Sequence, residues 1–379
     1  AEFDARYEKA RARMAEDGLD ALLVTSEPNY RYFTGHRSQF WVGNARPFLA
    51  LIFADRAPLA IAASSEAATF ENTSWIEDYR PYVGFADAAV DLLVEAIREN
   101  GLEAGRIGVD YGEEMRLGMP LTNFEALKAA LPKVAFVDGA PTLWALRLFK
   151  SPAETAYKRK AMEIACEAFD RCWQETRAGM SEIEIQRRMH VAMIELGAHH
   201  VGWLPCTSGR GDFRFSQEPT ERKVETGDIV WIDAGCTYHG YWSDVNRVAA
   251  VDEANEVQRE TYRKNHELTQ RMVAAIRPGL PVSEIVEVWK TVATELGIPE
   301  DFARFGRLGH GSGIQMLEPP SVWDKDDTEL EPGMIIHLEP KTFNEYGCYQ
   351  VEEVVVVTGN GSDYLTREAP AELPVTSGS

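Results

Sequence analysis

Two short apolar runs in the second half of the chain each touch a carboxylate. Ile229-Val230-Trp231-Ile232 leads directly into Asp233, and Glu352 stands just ahead of Val354-Val355-Val356-Val357. Unbroken apolar runs of this length read as buried strands, so each acid is carried on rigid backbone at a strand end. Three more metal-binding side chains share this half: Asp244 in YWSDVNR, His310 in GHGSG and Glu339 in IIHLEP. Gly309, Gly311 and Gly313 enclose His310, which suits a close backbone approach to a site. A lone Asp at a strand end is ordinarily a turn residue or a cap. Four carboxylates with one imidazole are a different case. They form the ligand set of a paired divalent-cation site, with hard oxygen donors and one borderline nitrogen.

The bulk properties set limits around that site. A chain of 379 residues fits two domains. Its 60 acidic and 39 basic residues give a net charge of −21, which argues against nucleic acid or an anionic membrane as partner. No stretch reaches the roughly 18 to 20 apolar residues that span a bilayer, and the charged start AEFDARYEKARARMAEDGLD lacks a signal-peptide core. The cysteines Cys166, Cys172, Cys206, Cys236 and Cys348 form no CxxC pair and read as reduced thiols of a cytoplasmic protein. Cys236, close to Asp233, is a soft donor that a hard-donor set does not need.

The first half alternates helix and strand patterns. Arg6 to Asp17 is an amphipathic helix and Leu19 to Thr25 a strand. Phe48 to Phe53 and Leu59 to Ala62 are strands joined by the turn Ala54 to Pro58. Ala86 to Asn100 and Pro120 to Leu131 are helices, while Ile107 to Asp110 and Val134 to Val137 are strands. This mixed α/β domain is expected to span 1–148, with a second domain over 149–379. Pro152 opens a long helix, Ala153 to Ala178, at a favoured position. Ser181 and Glu184 form a capping box for the helix that follows. Asn255 to Ile276 and Val282 to Leu296 make another helical pair, parted by Pro278-Gly279-Leu280-Pro281. The remainder is strand-rich, and helices precede and interrupt a strongly curved antiparallel sheet. The polar tail, Ala369 to Ser379, is expected to be loose.

The order and contexts of the five ligands resemble the metal-dependent pita-bread family of methionine and proline peptidases, in particular its proline-peptidase and creatinase branch. The likeness runs from about Lys150 onward. It includes LRLFKSPAE (Leu146 to Glu154), similar to the family's entry into its second domain. In the first half, YRYFTGHRS (Tyr30 to Ser38) is similar to the family's Tyr-Thr-Gly turn. The resemblance implies an α+β pita-bread (creatinase/aminopeptidase-like) catalytic domain behind a mixed α/β N-terminal domain. It also implies two divalent metal ions and a homodimer acting on a small-molecule or short-peptide substrate. Oxygen-rich sites with one His suit Mn, Fe, Co or Zn. By the same resemblance Asp244 and Glu352 bridge both ions, Asp233 chelates one and His310 completes the other. Glu339 binds metal and takes the proton of the attacking water. Paired ions polarise a carbonyl and generate hydroxide from a shared water, and a carboxylate beside that water can pass its proton to the leaving nitrogen. Glu353 reads as support for a ligand or as a strand-surface group, and His337 as a satisfied core histidine.

Three positions depart from the family's pattern. Ser216 stands where proline peptidases have a histidine, twelve residues ahead of Asp228 in Gly227-Asp228. Leu317 stands where they place a second histidine, and Gln350 where they have an arginine. None of the three can supply an imidazole hydrogen bond or a positive charge to a peptide and its oxyanion. Arg210, Arg214, His199, His200 and His239 are available to substitute. Trp41 and Arg46, in QFWVGNARPF, can hold a small cation or clamp a carboxylate, or simply pack between domains. The expected activity is therefore a metal-dependent hydrolase of the Xaa-Pro peptidase type, with standard X-Pro dipeptides poor substrates. The alternative is a creatinase-, ectoine hydrolase- or dimethylsulfoniopropionate lyase-like enzyme for a small osmolyte-type metabolite. Family members that are binding modules only usually lose metal ligands, and here all five are present.

Overall fold

The computed structural model describes residues 2–209, 214–299 and 306–376. It divides into two compact units, Ala1–Arg147 and Leu148–Ser379.

The first unit holds six strands: β1 (Ala21–Val24), β2 (Leu49–Phe53), β3 (Leu59–Ala63), β4 (Asp78–Tyr82), β5 (Arg106–Val109) and β6 (Ala135–Asp138). They form one mixed sheet in the order β4-β3-β2-β1-β5-β6. β1, β2 and β3 are buried at every position, so they read as unbroken apolar runs rather than alternating ones. The helices are α1 (Glu2–Asp17), α2 (Glu27–Thr34), α3 (Ala67–Thr73), α4 (Ala86–Glu99), α5 (Leu121–Ala130) and α6 (Ala140–Arg147). Ala89, Val90, Leu93, Val94 and Ile97 of α4 recur at helical spacing and join the sheet's core. Tyr30 to Thr34, expected as a turn, are helical instead. They end α2, which Gly35 closes at φ 71°. A Cβ at Gly35 would stand 2.6 Å from the Phe3 ring, so the turn proper is this one residue.

The second unit opens with α7 (Pro152–Glu175) and α8 (Glu182–Glu195), each started by a capping box, Ser151 with Glu154 and Ser181 with Glu184. Strands β7 (His200–Trp203), β8 (Cys206–Ser208), β9 (Ile229–Asp233), β10 (Gly235–Tyr238), β11 (Tyr241–Trp242) and β12 (Asn246–Ala250) follow. A second helical pair, α9 (Glu256–Ala275) and α10 (Val282–Leu296), precedes β13 (His310–Gly311), β14 (Glu318–Ser321), β15 (Ile335–Leu338), β16 (Lys341–Asn344), β17 (Gly347–Gln350), β18 (Glu353–Val357) and β19 (Ser362–Tyr364). Among the described residues these strands form four small sheets rather than one: β11-β10-β7, β12-β9-β8, β14-β13-β15-β18-β19 and β16-β17.

Both faces of the central strands are covered. Val230 and Ile232 of β9 and Val354 of β18 join the core beneath α7 and α8. Val355 and Val357 join the core of α9 and α10, and Ile229 and Trp231 face a third cluster around Tyr262 and Tyr349. Period-two alternation sends neighbours along one strand into different cores. The tail differs from expectation. Val375 bridges Ala250, and Ala369 and Leu373 lie in the cluster around Trp231. The tail is thus held as far as Thr376, because Ala369 and Leu373 are buried and Val375 is half-buried beside them, and 377–379 lie outside the described residues.

Candidate metal centre

Antiparallel pairing explains why distant acids meet. β9 ends on Asp233, and its partner β12 begins just after Asp244, with Asp233 opposite Asn246. β15 ends just before Glu339, and its partner β18 begins just after Glu352. In an antiparallel pair the end of one strand lies beside the start of the next, so each pair presents two carboxylates at one end. His310 opens β13, which pairs with β15 through Gly311 and Ile336. The glycines around it permit that approach. A Cβ on Gly311 would stand 2.1 Å from Pro319 O, and one on Gly309 1.8 Å from His337 O.

Donor atoms of Asp244, His310, His337 and Glu352 all lie within 4.8 Å of one another. His310 Nδ1 donates to Gly311 O at 2.8 Å, which leaves the Nε2 lone pair facing Asp244 Oδ2 at 3.4 Å and Glu339 Oε1 at 3.8 Å. Asp233 Oδ2 accepts from Trp203 Nε1 at 3.0 Å, while its buried Oδ1 has no hydrogen-bond partner. An imidazole lone pair aimed at two carboxylates, beside an orphaned carboxylate oxygen, is unfavourable without a cation. The donor set therefore fits divalent metal.

The electrostatics agree. Burial, with the charge of Asp244 next, holds the Asp233 carboxyl well above its usual range. Burial and then Glu339 push Asp244 up to about 7. Burial, Asp244 and Asp233 raise Glu352. Burial lowers His310 to about 4, so its imidazole is neutral and keeps a lone pair. Glu339 goes the other way. Burial alone would raise it, but the Lys341 ammonium and then His310 overcome that and bring it down.

Several groups around the centre were not singled out in the sequence. Lys341 Nζ donates to Glu339 Oε2 at 2.7 Å, as does Gln350 Nε2 at 3.1 Å. Lys341 and Gln350 are direct partners across the β16–β17 hairpin. The positive charge missing at Gln350 thus stands opposite it, at Lys341. Trp231 Nε1 holds Gln350 Oε1 at 2.9 Å. Phe215 covers the Lys341 ammonium at 5.4 Å and lies near Trp203 and Trp231.

His337 is fully buried, as a core histidine would be, but it belongs to the site. Its Nε2 receives Ser312 Oγ at 2.6 Å and faces Lys158 Nζ at 3.3 Å, so its Nδ1 donates to Glu352 Oε1 at 2.7 Å. It holds the Glu352 carboxylate from behind. Lys158 is itself fully buried, and burial lowers it to about 7. Its place was legible in principle, since Glu154, Lys158, Ala161 and Met162 share the buried stripe of α7. Glu353, far from being a strand-surface group, is fully buried and paired with Arg247 at 3.4 Å.

The other substrate candidates are scattered. Ser216 is exposed in a turn, next to Phe215, and Leu317 is half-buried just before β14. Arg214 is tied to buried Glu182 at 3.3 Å. His239 sits in the β10–β11 turn, stacked on Tyr157 at 4.8 Å and close to His199 at 4.7 Å. His200 meets the edge of Trp242. In the first unit Trp41 packs on Phe48 at 4.4 Å, and Arg46 lies over Phe40 and Phe85. Arg210 lies outside the described residues. Cys236 is buried, and its Sγ accepts a hydrogen bond from Ser243 Oγ at 3.4 Å.

Comparison with known proteins places this geometry. Residues 156–359, more than half of the chain, match the model of metallopeptidase family M24, and residues 6–149 match the creatinase/prolidase N-terminal domain. The chain belongs to the M24 metallopeptidase family, and it is a metal-dependent hydrolase of pita-bread fold. It is 28% identical over 362 residues to an Xaa-Pro dipeptidase of Pyrococcus horikoshii, covering 93% of this chain and 94% of that one. It is 26% identical over 362 residues to an Xaa-Pro dipeptidase of Lactobacillus delbrueckii subsp. lactis, covering 93% and 94%. Among solved structures it resembles an Xaa-Pro dipeptidase from Bacillus anthracis, with TM-score 0.84 and 26% identity over 98% of this chain and 99% of that one. No helix among the described residues is long and apolar enough to cross a membrane.

Proposed function

We propose that this protein hydrolyses an amide or peptide bond of a small substrate, as an Xaa-Pro peptidase does, at a dinuclear centre held by Asp233, Asp244, His310, Glu339 and Glu352. The observation that carries this is the His310 Nε2 lone pair facing two carboxylates beside the orphaned Asp233 Oδ1. When bound, the metal supplies Lewis acidity, which polarises a carbonyl and eases loss of a proton from water. The chain's residues do the rest. Glu339 keeps Oε1 on the His310 side and can accept the proton of the attacking water there, then release it to the leaving nitrogen. His337 and Asn246 N–H hold Glu352 in place at 2.7 and 2.8 Å. Trp203, Phe215 and Trp231 gather their rings beside Lys341. In this reading the second unit is the catalytic domain and the working form is a homodimer.

A second reading, an osmolyte-type metabolite as substrate, draws on the departures. Lys341 removes one of its three grounds by restoring a charge across from Gln350. Ser216 and Leu317 remain. The deciding experiment assays protein reconstituted with Mn²⁺ or Co²⁺ against X-Pro dipeptides and, in parallel, small osmolyte amides and betaines. Turnover of X-Pro dipeptides supports the first reading, and turnover of the metabolites alone supports the second. Inertness toward both, with metal bound, defeats both.

A further inference from the structure

We propose that the first unit contains a buried hydration site, in which ordered water joins Glu66 to His36, Tyr30 and Trp41. Three of these residues come from two N-terminal segments that the metal centre does not use: Tyr30 and His36 from YRYFTGHRS, and Trp41 from QFWVGNARPF. Tyr30, His36 and Glu66 are buried. The rings of Tyr30, His36 and Trp41 gather around Phe48, with centres 5.5, 5.5 and 4.4 Å from it. Glu66 Oε2 lies 3.4 Å from His36 Nε2, yet the two make no hydrogen bond. Among the described residues, Tyr30 Oη, both ring nitrogens of His36, Trp41 Nε1 and Glu66 Oε2 are all buried without a hydrogen-bond partner.

The neighbouring side chains do not supply what is missing. Phe48 and Phe70, which touch His36, carry no polar atom. The Tyr79 ring stacks on Phe70 at 4.4 Å, but its hydroxyl is committed to Ala63 O at 2.8 Å, as the Tyr82 hydroxyl is to Pro47 O at 3.0 Å. His36 is no counter-cation for Glu66, since burial and then Arg31 bring it down to about 4. Burial raises the Tyr30 hydroxyl well above its usual range, and Tyr79 and Glu66 add to that, so hydroxyl and carboxyl share one neighbourhood. A buried polar atom without a partner costs more than an ordinary hydrogen bond adds. Several such atoms in one place are the setting in which proteins keep internal water, each molecule taking two to four polar partners. Here the partners are complementary. Glu66 Oε2 offers lone pairs, Trp41 only donates, and the Tyr30 hydroxyl and the neutral His36 ring can each do both. A cation would face the Trp41 N–H and an anion the Glu66 lone pairs, whereas water gives and takes in turn.

The test uses full-length protein and two readouts. A high-resolution crystal structure of the unaltered chain should show water within about 2.7–3.2 Å of Glu66 Oε2 and of at least one of Tyr30 Oη, the His36 nitrogens and Trp41 Nε1. Tyr30→Phe removes one hydroxyl and leaves the ring in place. If that hydroxyl is bonded to water, its loss should lower the melting temperature by about 2–4 °C. If it has no partner, its loss should leave melting unchanged or raise it. Combined with Glu66→Gln, the fall should be smaller than the sum of the two single falls, because both variants disturb the same water. A direct His36–Glu66 hydrogen bond without water, density for an ion in its place, or a Tyr30→Phe variant that melts at or above the wild-type temperature overturns the proposal. The crystal structure needs no variant, so the proposal stays open to refutation even if a substituted chain fails to fold.

Discussion

Glu339 divides its two oxygens between a salt bridge with Lys341 and the side facing His310, so the proton chemistry proposed for it can be tested apart from the metal binding proposed for it. Glu339→Gln should retain part of the bound metal yet lower turnover by about a hundredfold or more, because an amide cannot take water's proton. Turnover near the wild-type rate, with metal content verified, would remove Glu339 from that role. A second prediction follows from the raised carboxyls. Asp244 titrates at about 7 in the metal-free fold against an ordinary 3.8. Its protonated form therefore favours the metal-free fold below the unfolded value, and that contribution is lost as pH rises through about 7. Melting of chelator-treated protein should fall between about pH 5 and pH 8, and the stabilisation given by added Mn²⁺ should grow over the same range. A flat difference between the two melting curves across that range would contradict the assignment. The acids and His310 could be found in the sequence because each sits at a strand end or between glycines. Lys341 could not, since only the hairpin register reveals that it faces Gln350.

At the scale of elements, glycine spacing and helix caps carry the testable energetics. Gly311→Ala would drive a Cβ into Pro319 O, forcing β13 and β14 apart and moving His310. Metal affinity should drop by tenfold or more, while the far-UV spectrum barely changes; unaltered affinity would show that β13 can shift freely. Ser181→Ala removes the cap that receives Glu184 N at 3.1 Å. It should cost about 1 kcal/mol, seen as a fall of about 2–4 °C in melting temperature. The long helices and the strands of the first sheet were legible because periodicity and caps are local. The four small sheets of the second unit were not. Their pairings, such as β13 with both β14 and β15, join segments whose partners no local pattern names. The helical Tyr30–Thr34 segment escaped because Gly35 drew attention to the turn rather than to the helix it ends.

For the whole molecule, a net charge of −21 sets the response to salt. Raising the salt from about 10 to about 150 mM shortens the screening length from about 30 to about 8 Å. That relieves self-repulsion and weakens exposed ion pairs, each of which contributes only about 0–1 kcal/mol. Repulsion should dominate, so the melting temperature should rise, and a fall would show that the surface pairs matter more. The tail adds a constraint of another kind. Ala369 and Leu373 fill a cluster with Trp231, two residues from Asp233, and Val375 adds a partner to β12. During synthesis the first unit can close while the rest is still being made. The second unit must wait for the segment around Leu373 to Val375, so a chain cut short before it would carry a finished front half and an incompletely filled core around Trp231.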